Sequence, residues 1–369
     1  FLSTEDDIIP GNYGLKDQRF ALQWVQGNIH LFGGDPLKVT IDGQSAGSAS
    51  VSYHVLSNQS KGLFRAAIHE SGTVLTSWGY QRYARDIAYK TAAALDSSIT
   101  NSNGSAEVLE VLQKVTAREL QDAANIIPVP TKHINPGYIF APVVESGDDA
   151  FFTELAYEAV EKGNINKVKM IVGMNSEEWI ARVSRFLSTE DDIIPGNYGL
   201  KDQRFALQWV QGNIHLFGGD PLKVTIDGQS AGSASVSYHV LSNQSKGLFR
   251  AAIHESGTVL TSWGYQRYAR DIAYKTAAAL DSSITNSNGS AEVLEVLQKV
   301  TARELQDAAN IIPVPTKHIN PGYIFAPVVE SGDDAFFTEL AYEAVEKGNI
   351  NKVKMIVGMN SEEWIARVS

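Results

Sequence analysis

Apolar residues in the early part of the chain recur at helical spacing. The pattern predicts an amphipathic helix over residues 15–32, closed by the two glycines at 33 and 34 and stopped by Pro36. The apolar positions that define this three-and-four spacing are Leu15, Leu22, Val25, Ile29 and Phe32. A loop rich in proline and glycine, residues 6–14, precedes this helix.

Short β-branched and apolar runs predict three strands, and longer periodic stretches between them predict helices. The strands are expected at 38–42, at 65–69 and, as a buried strand, at 168–172. Further helices are expected at 48–56, 83–95, 106–115, 116–124 and 151–162, and Thr116 with Glu119 has the spacing of a capping box. Strands that alternate with helices predict an α/β fold with a parallel sheet.

The whole pattern occurs twice in the chain. Phe1–Ser184 recurs without any difference as Phe186–Ser369, and Arg185 joins the two copies. We therefore expect two identical α/β units rather than one large domain. A repeat without divergence leaves three origins open, namely a recent duplication, an engineered fusion and an assembly error.

Composition and charge exclude several classes of protein. A hydrophobic fraction of 43% is typical of a globular chain, and no apolar run approaches the roughly 18 residues of a membrane span. The net charge of −11 argues against a nucleic acid or an anionic membrane as partner. The absence of cysteine excludes disulfides, thiolate metal sites and a cysteine nucleophile. No cluster has metal-ligand spacing and no phosphate-binding loop is recognisable, so we expect neither a metal nor a cofactor.

The most informative motif is Gly43-Gln44-Ser45-Ala46-Gly47, which recurs at 228–232. A predicted strand precedes it and a predicted helix follows, which is the setting of a nucleophile elbow. In such a turn the serine backbone is strained and its hydroxyl stands clear of the sheet. Both flanking glycines are expected to lie too close to neighbouring backbone for a Cβ, and the amide of Ala46 is expected to donate to an oxyanion. The alternative is an ordinary glycine-rich turn with a solvated serine.

In the second copy the corresponding residues are Ser230 as nucleophile, Ala231 as oxyanion donor, and Gly228 and Gly232 as the flanking glycines.

A long collinear series of short motifs surrounds this turn, and it resembles the type-B carboxylesterase/cholinesterase family of α/β-hydrolases. The series is most similar to insect carboxylesterases, including members like juvenile-hormone esterase. Each copy corresponds to about a third of a family member, so the resemblance implies two partial α/β-hydrolase units. The motifs lie at 11–18, 21–25, 28–29, 32–36, 39–40, 64–72, 140–144 and 172–175.

The resemblance implies a Ser-Glu-His mechanism of carboxylic-ester hydrolysis acting on a small-molecule ester. Ser45 matches the nucleophile, and Glu178, rather than Glu177, matches the acid, with Ser230 and Glu363 in the second copy. The family usually has glycine after this acid, and this chain has Trp179.

Two parts of the family's machinery have no match in either copy, namely the catalytic histidine beyond the acid and the glycine-rich oxyanion loop upstream. None of the four histidines of the first copy matches the family's base, so we expect this polypeptide to be nearly inactive. The alternative function is that of a non-catalytic, cholinesterase-like binding or adhesion protein. The histidines are His30, His54, His69 and His133.

Two remaining expectations concern location and assembly. Four N-x-S sequons and a chain that starts at Phe1 without a leader are typical of a secreted glycoprotein whose signal peptide is not in this sequence. Because each copy supplies only a few strands, we expect unpaired sheet edges that pair copy to copy or between molecules. The sequon asparagines are Asn58, Asn103, Asn243 and Asn288.

Overall fold

The protein is described by a computed structural model that covers residues 1–76, 78–128, 139–174, 186–261, 263–313 and 325–360. In this part of the chain each copy forms a compact unit of its own. The predicted junction at Arg185 lies outside the described residues.

The two units have the same secondary structure. In the first, the helices are α1 (Tyr13–Asn28), α2 (Ala46–Leu56), α3 (Ala84–Leu95), α4 (Ser105–Gln113), α5 (Ala117–Asn125) and α6 (Ala156–Lys162). Its strands are β1 (Thr40–Gln44), β2 (Ala66–Glu70) and β3 (Lys169–Gly173), and short 3-10 helices lie at Ile29–Phe32, Pro36–Lys38 and Asn58–Ser60.

In the second unit the helices are α7 (Tyr198–Asn213), α8 (Ala231–Leu241), α9 (Ala269–Leu280), α10 (Ser290–Gln298), α11 (Ala302–Asn310) and α12 (Ala341–Lys347). Its strands are β4 (Thr225–Gln229), β5 (Ala251–Glu255) and β6 (Lys354–Gly358), with 3-10 helices at Ile214–Phe217, Pro221–Lys223 and Asn243–Ser245.

Each sheet is parallel, with strand order β1-β2-β3 in the first unit and β4-β5-β6 in the second. Parallel neighbours need crossover connections, and α2 supplies the connection from β1 to β2. Gly43 of β1, His69 of β2 and Val172 of β3 lie in register across the sheet. The predicted α/β fold is therefore confirmed.

One face of the sheet carries the core. Val51 and Val55 of α2 pack against Ile41 of β1 and Ala67 of β2, and Phe64 completes this cluster. Successive residues of a strand point to opposite faces, so the residues between these lie on the other side. Thr40, Asp42 and Gln44 on that other side are exposed.

The third strand differs from its prediction. The run at 168–172 was expected to be a buried strand, but every residue of β3 is exposed, and Val172 retains 73% of its accessible surface. The physical reason is cover, because α2 packs on Ile41 of β1 and Ala67 of β2, whereas the contact with this cluster on the side of β3 comes from Val168, just before the strand begins. Periodicity predicts a strand but does not reveal what covers it.

The helix predicted over 151–162 is also shorter than expected, because α6 begins only at Ala156. Phe151 and Phe152 are buried in a non-helical segment, where they join Tyr53 in a second core cluster. The Phe151 amide donates to the Glu145 carboxylate at 2.9 Å, a tertiary contact that replaces the helical one. The capping box before α5 is confirmed, since Thr116 and Glu119 exchange both hydrogen bonds.

A buried polar network joins the start of α1 to residues 143–151. Asn12 has a left-handed backbone and exchanges two hydrogen bonds with the Val143 main chain, at 2.7 and 2.9 Å. Its amide also donates to Glu145 at 2.7 Å, and Lys16 forms an ion pair with Glu145 at 2.6 Å. This network explains why the sequence places Asn12 and Lys16 around the first turn of α1.

Candidate active site

Ser45 stands in the turn between β1 and α2, as the sequence predicts. Its backbone has φ 56° and ψ −115°, a combination that residues with a side chain rarely adopt. The Ser45 amide donates to the Glu70 carbonyl at 2.8 Å, and the Ser45 carbonyl accepts from Ala49 at 3.0 Å. The turn is therefore attached both to the neighbouring strand and to the helix that follows. Ser230 repeats this geometry with φ 56° and ψ −116°.

The glycine at the end of β1 is required by close packing. A Cβ on Gly43 would lie 2.4 Å from both the carbonyl carbon and the carbonyl oxygen of Gly47, much too close for any side chain. Gly228 has the same environment in the second unit. This part of the prediction is confirmed, and its cause is that α2 turns back over the strand that precedes it.

The second flanking glycine does not behave as predicted. A Cβ on Gly47, or on its counterpart Gly232, would have no heavy atom within 4 Å. The expectation that Gly47 also lies too close for a Cβ is therefore wrong. At this site it is the backbone of Gly47, and not its missing side chain, that meets Gly43.

A further glycine, Gly72, is not part of the motif but lies against Ser45. A Cβ on Gly72 would lie 2.2 Å from the Ser45 carbonyl oxygen. Gly72 follows β2 after Ser71, which has φ 49° and whose amide donates to the Gly173 carbonyl at 2.9 Å. The sequence signal that could have identified Gly72 is a glycine two residues after the end of β2, the strand that runs parallel to β1.

The predicted oxyanion donor lies at the start of a helix. Ala46 is the first residue of α2 and is exposed, and Ala231 has the same place in α8. The first amides of a helix lack partners within the helix, so such an amide can donate to an anion. The role of Ala46 and Ala231 in an oxyanion hole stays a prediction.

No histidine in the described residues is a hydrogen-bond partner of the Ser45 hydroxyl. His54 is buried and bonds to Ser60 at 2.7 Å and to Gln18 at 3.1 Å, and burial lowers its pKa to about 4. His69 contacts Ser52 at 3.2 Å, and desolvation lowers its pKa as well. His30 is exposed on the 3-10 helix after α1.

Glu178 and Glu363, the predicted acids, lie outside the described residues, as do Trp179 and His133. The structure therefore brings together Ser45, Ala46 and the glycines of the elbow, and the acid remains a prediction in both copies.

The sequons differ in their surroundings. Asn58 is exposed, although the Ser60 hydroxyl of the same sequon is buried against His54. Asn103 is partly buried, and its amide donates to Glu107. Asn243 and Asn288 have the same environments in the second unit.

Neither a metal site nor a membrane-spanning helix occurs in the described part of the chain. No group of three or more His, Asp or Glu side chains there is arranged to hold a metal ion. Of the helices in the same residues, none combines the length and the apolar character that crossing a membrane requires.

Comparison with known proteins gives two successive matches to one family. The model of the carboxylesterase family matches residues 1–185 and again residues 183–369. The chain is 38% identical to venom carboxylesterase-6 of Apis mellifera over 188 residues, which cover 51% of this chain and 33% of the relative. It is 36% identical to juvenile hormone esterase of Tribolium castaneum over 198 residues, which cover 52% of this chain and 33% of the relative.

The chain is also 36% identical to human neuroligin-2 over 197 residues, which cover 52% of this chain and 22% of the relative. These alignments span a third or less of each relative and about half of this chain, the length of one copy. Because the family model covers both copies and the parallel sheet carries its serine elbow, the chain belongs to the carboxylesterase family.

Proposed function

We propose that Ser45 and Ser230 are nucleophiles that attack the carbonyl carbon of a small-molecule carboxylic ester. The observation that carries this proposal is the strained backbone of each serine at a strand-to-helix turn. Such strain persists only where surrounding structure holds it, and it is common at functional sites. The family supports ester hydrolysis as the reaction.

The proposed reaction has two steps. The serine oxygen bonds to the carbonyl carbon, its proton passes to a base, and the alcohol leaves with a proton, so that an acyl-serine remains. Water then attacks the acyl carbon, which releases the carboxylic acid and restores the serine. The amides of Ala46 and Ala231 are proposed to stabilise the oxyanion that forms in each step. Glu178 and Glu363 are proposed as the acids that would orient a histidine base, a role that none of the described histidines fills at Ser45.

We also propose that the 369-residue polypeptide turns esters over slowly by itself. The support is that none of the described histidines is a hydrogen-bond partner of the Ser45 hydroxyl, while His54 and His69 have other partners. A serine without its base keeps only the residual catalysis that comes from binding and from the oxyanion site.

Labelling with a fluorophosphonate probe tests the nucleophile assignment. We expect slow, covalent labelling of the peptides that contain Ser45 and Ser230, and no labelling after Ser45→Ala with Ser230→Ala. The matched control is Ser50→Ala with Ser235→Ala, two partly buried serines on α2 and α8 whose loss should leave the labelling unchanged. Labelling that survives the first pair of substitutions contradicts the proposal.

The second candidate is a non-catalytic binding protein of the same family, with which the match to neuroligin-2 is compatible. The retained serine in a strained turn favours the esterase, because a binding surface has no need of that conformation. Complete absence of labelling in a folded protein would favour this second candidate.

We further propose that the protein is a secreted glycoprotein. The support is the four sequons together with a relative named as a venom enzyme. Expression through a secretory pathway should give a product whose electrophoretic mobility rises after enzymatic removal of N-glycans. Asn58→Gln and Asn103→Gln, with their counterparts in the second copy, identify the occupied sites. A mobility that does not change when N-glycans are removed contradicts the proposal.

We also propose that exposed sheet edges mediate association of copies or of chains. The support is that β3 and β6 are exposed along their whole length and carry apolar side chains. Such edges present unpaired main-chain groups to any other strand.

A further inference from the structure

A second serine lies one helical turn beyond the nucleophile and is completely buried. Ser48 has no accessible surface, and its hydroxyl donates to the Gly72 carbonyl at 2.7 Å. Ser233 does the same to Gly257 at 2.6 Å. A buried hydroxyl in the first turn of a helix therefore reaches out to the loop that follows the neighbouring strand.

That loop is the one that holds the nucleophile in place. Gly72 approaches the Ser45 carbonyl so closely that any Cβ on it would lie 2.2 Å from the oxygen. Two residues earlier, the Glu70 carbonyl accepts the Ser45 amide. The main chain of Ser45 is thus enclosed by residues 70–72, and their position determines whether Ser45 can keep its strained conformation.

The main chain of Ser48 also forms a hydrogen bond with a side chain of its own helix. Its carbonyl accepts a hydrogen bond from the Ser52 hydroxyl at 3.1 Å. The Ser52 hydroxyl also contacts His69 at 3.2 Å. The hydroxyl of Ser48 therefore links α2, which also contacts β2 through Ser52 and His69, to the loop after β2.

We propose that Ser48 and Ser233 are positioning residues for the nucleophiles Ser45 and Ser230. Each hydroxyl fixes the glycine that packs on the nucleophile's carbonyl, so that the nucleophile's backbone cannot relax to an ordinary helical or extended conformation. The inference rests on the proposed function, because it concerns the reactivity of the same serine.

The duplicated chain supplies its own reference for the test. Ser48→Ala is introduced in the first copy alone, and the full chain is labelled with a fluorophosphonate probe. Tryptic cleavage after Lys38 and Lys61 releases a peptide that holds both Ser45 and position 48, and the substitution makes it one oxygen lighter than its counterpart. Mass spectrometry then measures the labelling of Ser45 and Ser230 separately in one sample.

We expect the maximal labelling rate of Ser45 to fall about tenfold relative to Ser230, as for the loss of one buried hydrogen bond. The probe concentration that gives half-maximal rate should not change, because Ser48 does not contact the probe. Amide exchange of the same peptide should stay equal in the two copies, which separates a positioning role from unfolding of the unit.

The matched control is Ser50→Ala in the first copy, since among the described residues the Ser50 hydroxyl bonds to the Ala46 carbonyl of its own helix, at 3.1 Å, and not to the loop after β2. It should leave the two copies labelled equally. Equal labelling with Ser48→Ala would overturn the inference, as would a slower rate accompanied by faster amide exchange. If the unaltered Ser230 is not labelled at all, the proposed function fails instead, and the two failures are distinguishable.

Discussion

At the scale of single residues, the serine turn depends on close approach between main-chain segments. Gly43 lies against the Gly47 carbonyl, and Gly72 lies against the Ser45 carbonyl. Neither approach leaves room for a Cβ. The conformation of Ser45 is therefore determined by its neighbours, which compensate for an unfavourable backbone geometry.

The two glycines of the motif give a matched pair of substitutions. Gly43→Ala with Gly228→Ala should lower the free energy of unfolding by about 2–4 kcal/mol, as overpacking against main chain does. Gly47→Ala with Gly232→Ala should instead be neutral or raise it by up to about 1 kcal/mol, because the position is helical and open. Urea denaturation measures both, and equal effects would contradict this account of the turn.

Another single residue, His54, should make stability depend on pH. Burial holds the pKa of His54 at about 4, against 6.5 when unfolded. Between these values the unfolded chain binds a proton that the folded chain does not, so stability falls as pH is lowered through this window. Between pH 7 and pH 5 the free energy of unfolding of each copy is expected to fall by about 2 kcal/mol.

Urea denaturation at several pH values tests this dependence. His54→Gln with His239→Gln should make the dependence shallower, whereas the exposed pair His30→Gln with His215→Gln should leave it as in the parent protein. An unchanged slope after removal of His54 and His239 would show that other groups cause the acid sensitivity.

At the scale of elements, one buried ion pair joins α1 to residues 143–151. The Glu145 side chain is fully buried, and it pairs with Lys16, whose side chain is only 10% exposed. Asn12 and the Phe151 amide satisfy the other carboxylate oxygen. Removal of one charge leaves the other buried without its partner, which is costly.

Glu145→Gln with Glu330→Gln should therefore lower the free energy of unfolding by about 3–5 kcal/mol. The matched control is Glu158→Gln with Glu343→Gln, which removes a surface pair to Lys162 and its counterpart and should have no measurable effect. Chemical denaturation distinguishes the two outcomes. A small effect at Glu145 would mean that Lys16 finds water or another partner.

At the scale of the whole molecule, the same open strand occurs twice in one chain. β3 and β6 carry identical exposed residues, so the described part of each polypeptide has two edge strands that are exposed along their whole length and at which another strand can pair. A chain with two such edges can link to more than one neighbour. Association should then rise with concentration rather than stop at a single complex.

Val172→Lys with Val357→Lys should reduce this association, because a charge on an edge strand opposes pairing. The control is Ile126→Lys with Ile311→Lys, since Ile126 is 72% exposed, close to the 73% of Val172, and lies at the end of a helix. Sedimentation velocity over a range of concentrations measures the change. A parent protein that is monomeric at all concentrations contradicts the proposed edge pairing.

The sequence by itself determined the features that depend on residues near one another in the chain. The strands, most of the helices, the capping box at Thr116 and the strained turn at Ser45 follow from local spacing and from the steric needs of a few adjacent residues. The duplication is visible directly, since it needs only comparison of the chain with itself.

Only the tertiary structure decided the features that join distant segments. The contact of Gly72 with Ser45, the exposure of β3 and the start of α6 at Ala156 all depend on which segment packs against which. The physical reason is that packing partners far apart in the chain, such as Asn12 and Val143, which lie 131 positions apart, leave no periodic signal in either segment. Local pattern therefore predicted the elements, and long-range packing decided what each of them buries.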